Sequence, residues 1–192
     1  MAIEKPVKIK NPIWAEIWDT VKFIIILMII VVPFRMYIAQ PFIVSGSSMD
    51  PTFADRQYLI VDEISYALGK IKRGDVVIFH PPAEEKSYYI KRIIGLPNER
   101  VTIQNGRTII YNEANPNGLE LDDSFIKKNT TCQIYCDVQL GADEFFVMGD
   151  NRTNSQDSRI IGPIPRSNLV GRAFARLFPF NTMVLFPGEE EM

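Results

Sequence analysis

The chain is poor in several of the residues that most often carry chemistry. It has one histidine, two cysteines and a net charge of -2 over 192 residues. No long basic tract is present, so the clustered Lys/Arg face of a nucleic-acid binder is excluded. The lone His80, in "IFHPPAEE", is the sole base on which a Ser-His-Asp mechanism could draw, and its prolines and glutamates read as an exposed turn. Beside Glu84 and Glu85 it falls short of the ligand count of a catalytic zinc, and the C-x3-C of "TCQIYC" is too sparse for a structural one. No metal and no cofactor is implied. Cys132 and Cys136 either close a small disulfide loop in an oxidising compartment or stand as two buried thiols.

A long apolar run is also missing. "FIIILMIIVVPF", Phe23 to Phe34, carries no charge but is shorter than the roughly 20 residues that cross a bilayer. A cleaved signal should end in small residues, whereas "PFRMYIAQPF" is bulky and offers only Ala39. A core helix should be amphipathic, and this stretch is apolar all round. A transmembrane helix over residues 23–40, with Lys22 and Arg35 reaching to the two interfaces, is therefore expected. Lys5, Lys8, Lys10 and Lys22 precede it, against Arg35 and Arg56 just after. That asymmetry puts residues 1–22 in the cytoplasm and residues 41–192 outside.

Beyond Met49 the helical period disappears. "QYLIVDEI", "GDVVIFH", "SYYIKRII", "RVTIQ", "RTIIYN" and "EFFVMGD" are short runs rich in Val, Ile, Phe and Tyr, separated by Gly, Pro, Asn and Asp. They leave no room for helices between them, so a mainly β domain with an antiparallel or barrel-like sheet is expected. Residues 111–139 read as an insertion or long loop, and the tail "GEEEM" as a solvated acidic end.

With histidine scarce, an activated serine would need another base, and lysine is the better candidate. A lysine serves only when neutral, which burial in an apolar pocket can achieve. In "YYIKRIIG", strand alternation puts Lys91 on one face with Tyr89 and Ile93, and Arg92 on the other. The alternative is that Lys91 snorkels from an exposed strand face. "GDNRTNSQDSR", Gly149 to Arg159, is by composition a polar turn. Its other reading has Ser155 orienting the lysine while Asp157 and Arg159 pair to brace the loop.

Together these stretches resemble the bacterial type I signal peptidases, membrane-bound Ser/Lys enzymes that remove signal peptides from exported preproteins. The match lies in "SMDPT" (Ser48 to Thr52), "RGDVVIF" (Arg73 to Phe79), "YIKRIIGLP" (Tyr89 to Pro97) and "GDNRTNSQDSR", in the family's order. "QPFIV" before them and "GPIPRSNLVGRAFARLFPF" after them also look like family sequence. The resemblance covers nearly the whole chain past Lys22. It implies a coiled, largely antiparallel β-sheet catalytic core behind one N-terminal transmembrane helix. It makes Ser48 the nucleophile, Lys91 the general base, Ser155 the residue that hydrogen-bonds the base, and Asp157 and Arg159 a structural ion pair. Gly149 and Asp150 fall at the conformation-setting start of the same loop. Phe42, Val44, Met49, Tyr89 and Ile90 would line pockets that select small residues before the cleavage point.

One departure concerns the oxyanion. Many members carry a Ser or Thr two residues before the nucleophile, where this chain has Gly46. The resemblance then leaves the Ser48 backbone N–H, with Ser45 or Ser47 as substitutes for the second donor. The implied partners are preprotein signal peptides and the lipid bilayer, with export machinery nearby, at a bacterial plasma membrane. The related self-cleaving repressors share the dyad but carry a DNA-binding helical domain where this chain is apolar. A rival of another class is a catalytically impaired, membrane-anchored β module that binds peptides without cutting them.

Overall fold

The computed structural model describes residues 12–37, 39–64, 66, 69, 71–84, 86–122, 126 and 130–188, with side chains in the first helix described for 14–31. The chain divides into two compact units, residues 1–38 and 39–192. The first contains a helix, α1 (Pro12–Tyr37). Its residues from Phe23 to Val31 are apolar and exposed, whereas Glu16, Asp19 and Lys22 lie in the turns before them. Among the described residues no helix is long and apolar enough to cross a membrane, so the expectation of a spanning helix over 23–40 is not met there. The helix also ends before residue 40, where the next unit has already begun a strand.

The second unit is mainly β, as expected. Its larger sheet contains β1 (Ala39–Ile43), β2 (Tyr58–Asp62), β3 (Val76–Phe79), β4 (Tyr89–Gly95), β9 (Glu144–Met148), β10 (Ile164–Pro165), β11 (Leu169–Phe178) and β12 (Val184–Leu185). The order is β1-β2-β11-β3-β4-β9-β10, with β12 against β11, and the pairings are antiparallel. A smaller antiparallel sheet, β7-β6-β5-β8, is built from β5 (Arg100–Gln104), β6 (Arg107–Tyr111), β7 (Leu119–Glu120) and β8 (Asp137–Gln139). A short helix, α2 (Ser158–Ile161), precedes β10.

The run "VVIF" of β3 is buried throughout because both faces of the sheet are covered. Val76 and Ile78 join Val44, Met49, Phe53, Leu59, Val61 and Ala173 on one side. Val77 and Phe79 join Ile93, Phe145, Val147 and Ile164 on the other. A third cluster, including Ile94, Val101, Ile110, Leu140 and Phe146, lies between the smaller sheet and the ends of β4 and β9.

Two parts of the sequence reading are corrected by the strands. Residues 111–139 are not simply a loop, because β7 and β8 lie within them and pair with β6 and β5. Leu169–Phe178, read as family-like sequence only, is the long β11 that joins β2 to β3. Residues 189–192, the acidic tail, lie outside the described residues.

Candidate active site

Ser48 sits in a turn that follows β1. The Asp50 N–H donates to the Ser47 carbonyl at 3.2 Å and the Phe53 N–H to the Met49 carbonyl at 2.9 Å, and Met49 is plugged into the core at 1 % exposure. The turn is thereby anchored by its apolar residue and presents the preceding hydroxyl. Lys91 arrives from the middle of β4, paired in register with Val77 and on the face that also carries Tyr89 and Ile93. It is 4 % exposed. Its Nζ donates to Ser48 Oγ at 2.8 Å and to the Ile90 carbonyl at 2.8 Å, and stands 5.4 Å from the centre of the Tyr89 ring. The snorkelling alternative is thus excluded by burial. That burial pulls the Lys91 pKa down to about 8, against the carboxylates of Asp157 and Asp150, which favour the charged form.

The loop from Gly149 to Arg159 packs behind this pair. Asp157 caps α2, and burial alone would raise its pKa. The Arg159 guanidinium, the Gly149 N–H and the Ser155 hydroxyl outweigh burial and hold the carboxyl below its usual range. The ion pair is bidentate, with Arg159 Nε to Asp157 Oδ1 at 2.8 Å and Nη2 to Oδ2 at 2.7 Å, and both side chains are buried. Ser155 is placed differently from expectation. Its buried hydroxyl bears on the Asp157 carboxylate, and Lys91 instead donates to Ser48 and the Ile90 carbonyl. Gly149 has no space for a side chain, since a β-carbon there would lie 2.2 Å from Ser155 Oγ and 2.4 Å from the Ser48 carbonyl oxygen.

Residues that sequence reasoning passed over complete the packing. Arg92, opposite Lys91 on β4, is fully buried and grips Asp150 through Nε at 2.8 Å and Nη2 at 2.6 Å. Thr52 Oγ1 donates to the same carboxylate at 2.6 Å. This pair ties the base strand, the serine turn and the start of the polar loop together. Asn151 and Asn154 donate to the Ser47 carbonyl and hydroxyl, each at 3.0 Å, and the Asn151 N–H to the Ser48 carbonyl at 3.0 Å. Alternation puts an Arg that follows an inward Lys on the opposite face of the strand, and it is the fold, with a layer on both sides of the sheet, that buries it there.

An open cleft of about 450 Å³ runs beside the pair, lined by Phe42, Val44, Leu59, Ile78, Tyr88, Ile90 and the Ser48 and Lys91 side chains among others. Tyr89 and Gln156 border it and meet through a 3.3 Å hydrogen bond. Of the expected pocket residues, Phe42, Val44, Tyr89 and Ile90 line it; Met49 does not, its side chain being spent on the core. His80 is turned to the Ser87 carbonyl at 3.0 Å and to the Tyr88 ring. Gly46 has φ +89, a left-handed value that resists a β-carbon, although the space beside it is open. Its N–H donates to Asp55 at 2.8 Å. Ser45 borders the cleft, whereas the Ser47 hydroxyl is engaged by Asn154. Cys132 and Cys136 are bonded to one another. Among the described residues no cluster of His, Cys, Asp and Glu could hold a metal ion.

The family model for signal peptidase, peptidase S26, matches residues 17–178. Signal peptidase I T of Bacillus subtilis (strain 168) is 35% identical over 190 residues, covering 94% of this chain and 93% of that protein. Signal peptidase I of Leptolyngbya laminosa is 34% identical over 176 residues, covering 88% of this chain and 83% of its own. A crystal structure of a signal peptidase I from Enterococcus faecalis V583 shows 26% identity, a TM-score of 0.45, and coverage of 54% of this chain and 96% of that one. The family model and the two relatives first define a class, the peptidases. Within it, the chain belongs to the signal peptidase family, peptidase S26.

Because a Gly149 side chain would press on the Ser48 carbonyl, Gly149→Ala is expected to lower peptidase kcat/KM by about 10²-fold through displacement of the serine turn. Steady-state kinetics on a preprotein peptide, with circular dichroism to confirm folding, checks this.

Proposed function

We propose that this protein is a serine endopeptidase that removes N-terminal signal peptides from exported preproteins, cutting after small residues with Ser48 and Lys91 as its dyad. The observation that carries the reading is the 2.8 Å contact between Ser48 Oγ and the Nζ of a buried lysine. In this mechanism neutral Lys91 accepts the Ser48 proton, and Oγ attacks the scissile carbonyl. The protonated lysine then gives its proton to the departing amine, and water resolves the acyl-enzyme. The oxyanion is held by the Ser48 N–H, with the Ser45 hydroxyl at the cleft border as second donor. The substrate lies extended along the cleft, its small side chains against Phe42, Val44, Tyr89 and Ile90. Asp157 and Arg159 brace the loop behind the base.

The exposed apolar stretch Phe23–Val31 of α1 supports attachment to a bacterial plasma membrane, and the lysines before it support a cytoplasmic N-terminus with the catalytic unit outside. Membrane-held signal peptides, and export machinery nearby, are then the partners.

The test is cleavage of a preprotein bearing an A-x-A site by the full chain in detergent, beside Ser48→Ala, read by mass spectrometry. A single cut after the small residue by the wild type alone is expected, and an intact substrate with folded wild type would sink the reading. A second expectation concerns pH. The base works only when deprotonated, so kcat/KM should rise about tenfold per unit below the Lys91 pKa of about 8 and level off above it. A profile flat from pH 6 to 9 contradicts that role.

A further inference from the structure

We propose that the Cys132–Cys136 disulfide is a positioning element for the dyad, which it serves by holding the loop that carries Asp157 and Arg159 in place. The inference rests on the Ser48–Lys91 reading above.

The small ring closed by this bond is docked on the back of that loop. The Ile134 and Tyr135 N–H groups both donate to the Arg159 carbonyl, at 3.3 and 3.0 Å. In return Arg159 Nη1 donates to the Thr131 carbonyl at 2.8 Å, one residue before Cys132. Arg152 Nη1 donates to Thr130 Oγ1 at 2.5 Å. At the other end the Ile103 N–H donates to the Cys136 carbonyl at 2.7 Å, fixing the ring to β5. The Tyr135 ring lies beside Gly162, where a β-carbon would touch it at 3.4 Å.

Apart from Cys132, which packs against the cluster under the smaller sheet, apolar packing does little to hold this ring. Ile134 is 63% exposed and Tyr135 40%, so the shape of its middle depends on the covalent closure and on its hydrogen bonds to Arg159 and β5. An open chain of this length samples many conformations that lack those bonds, and the cross-link removes them. From Arg159 the path to the chemistry is short. Arg159 orients Asp157, Asp157 accepts the Gly149 N–H at 2.9 Å, and Gly149 abuts the Ser48 carbonyl.

Reduction transfers two electrons and two protons to the bond, leaving two thiols and converting a dithiol reductant to its cyclic disulfide. The released ring then lets the loop and the buried lysine admit water. In an oxidising compartment the bond persists and the site stays braced.

The experiment compares the full chain in detergent before and after treatment with a dithiol, the thiols being counted by alkylation and mass spectrometry. On reduction kcat should fall about tenfold while KM stays within about twofold, since of the residues lining the cleft only Gln156 belongs to this loop. The acid limb of kcat/KM should move to higher pH as Lys91 becomes better hydrated. Amide exchange over residues 149–161 should quicken about tenfold with near-UV circular dichroism unchanged. Reoxidation should restore all of these, and the double variant Cys132→Ser, Cys136→Ser should behave as the reduced protein and ignore the dithiol. Unchanged kcat, acid limb and exchange in fully reduced protein would overturn the proposal. So would loss of the near-UV signal, which would make the bond a requirement of the whole unit. Should even the oxidised protein leave the preprotein whole, the peptidase reading fails, and the exchange contrast still decides the positioning role.

Discussion

Lys91→Arg is expected to be as inactive as Lys91→Ala, each cleaving preprotein about 10³-fold more slowly than the wild type or worse. A positive charge is retained in the first variant and lost in the second, so a shared result isolates the property they both lack. That property is a side chain able to give up its proton near neutral pH, which the buried Lys91 does with a pKa of about 8 and a guanidinium does not. The arginine is also larger than a site where the lysine is 4 % exposed and contacts both Ser48 and the Ile90 carbonyl. Single-turnover cleavage read by mass spectrometry gives the rates, and near-UV circular dichroism shows whether each variant is folded. Activity of Lys91→Arg within tenfold of wild type would remove lysine from the role of base.

The second large effect is on stability. Asp150→Ala leaves the Arg92 guanidinium buried with its carboxylate removed, in a place where both side chains have no solvent contact. Breaking such a pair from one side costs about 3–5 kcal/mol. A domain typically has only about 5–15 kcal/mol in total, so the urea midpoint should drop steeply. Removing Glu120, whose pair with Arg107 is more than half exposed on both sides, should change the unfolding free energy by only about 0–1 kcal/mol and leave the midpoint nearly in place. The two substitutions delete the same kind of charge, and burial separates their outcomes. Equal midpoints for Asp150→Ala and Glu120→Ala would show that the inner pair contributes nothing.

Much of this was readable from residue order alone, because period-2 alternation states which side chains share a face. Lys91 with Tyr89 and Ile93 follows from it directly. Alternation says nothing about what covers the opposite face, so Arg92 carried no sign of its burial against Asp150, 58 residues further on. Met49 shows the same limit at a turn. Its neighbour Ser48 reaches the cleft, but only the path of β1 and β2 decides that the next side chain enters the core. Strands of two or three residues, such as β7 and β8, are too short to carry a period and exist because β5 and β6 supply their partners. The Ser155 hydroxyl was matched to the base by motif position, whereas its distance from Lys91 depends on how the loop bends around Gly149.

The smaller sheet leaves and rejoins the larger one at a single point. The Asn98 N–H meets the Gly141 carbonyl at 3.1 Å, and the Leu140 N–H meets the Glu99 carbonyl at 2.8 Å. The excursion between β4 and β9 is therefore pinched shut at its neck, like a side chapel with one door. Chain length inside it is uncoupled from the distance between the strands outside, because closing a longer excursion costs only slowly growing entropy. The turn between β6 and β7, where Asn112 and Asn115 bond one another, is tied back to the neck through Asn112, whose Nδ2 donates to Glu99 Oε1 at 2.8 Å. The exposed Pro116 and Asn117 just beyond it are the natural splice point for a reporter or affinity tag in a chain whose proposed Ser48–Lys91 dyad is supplied from outside the neck.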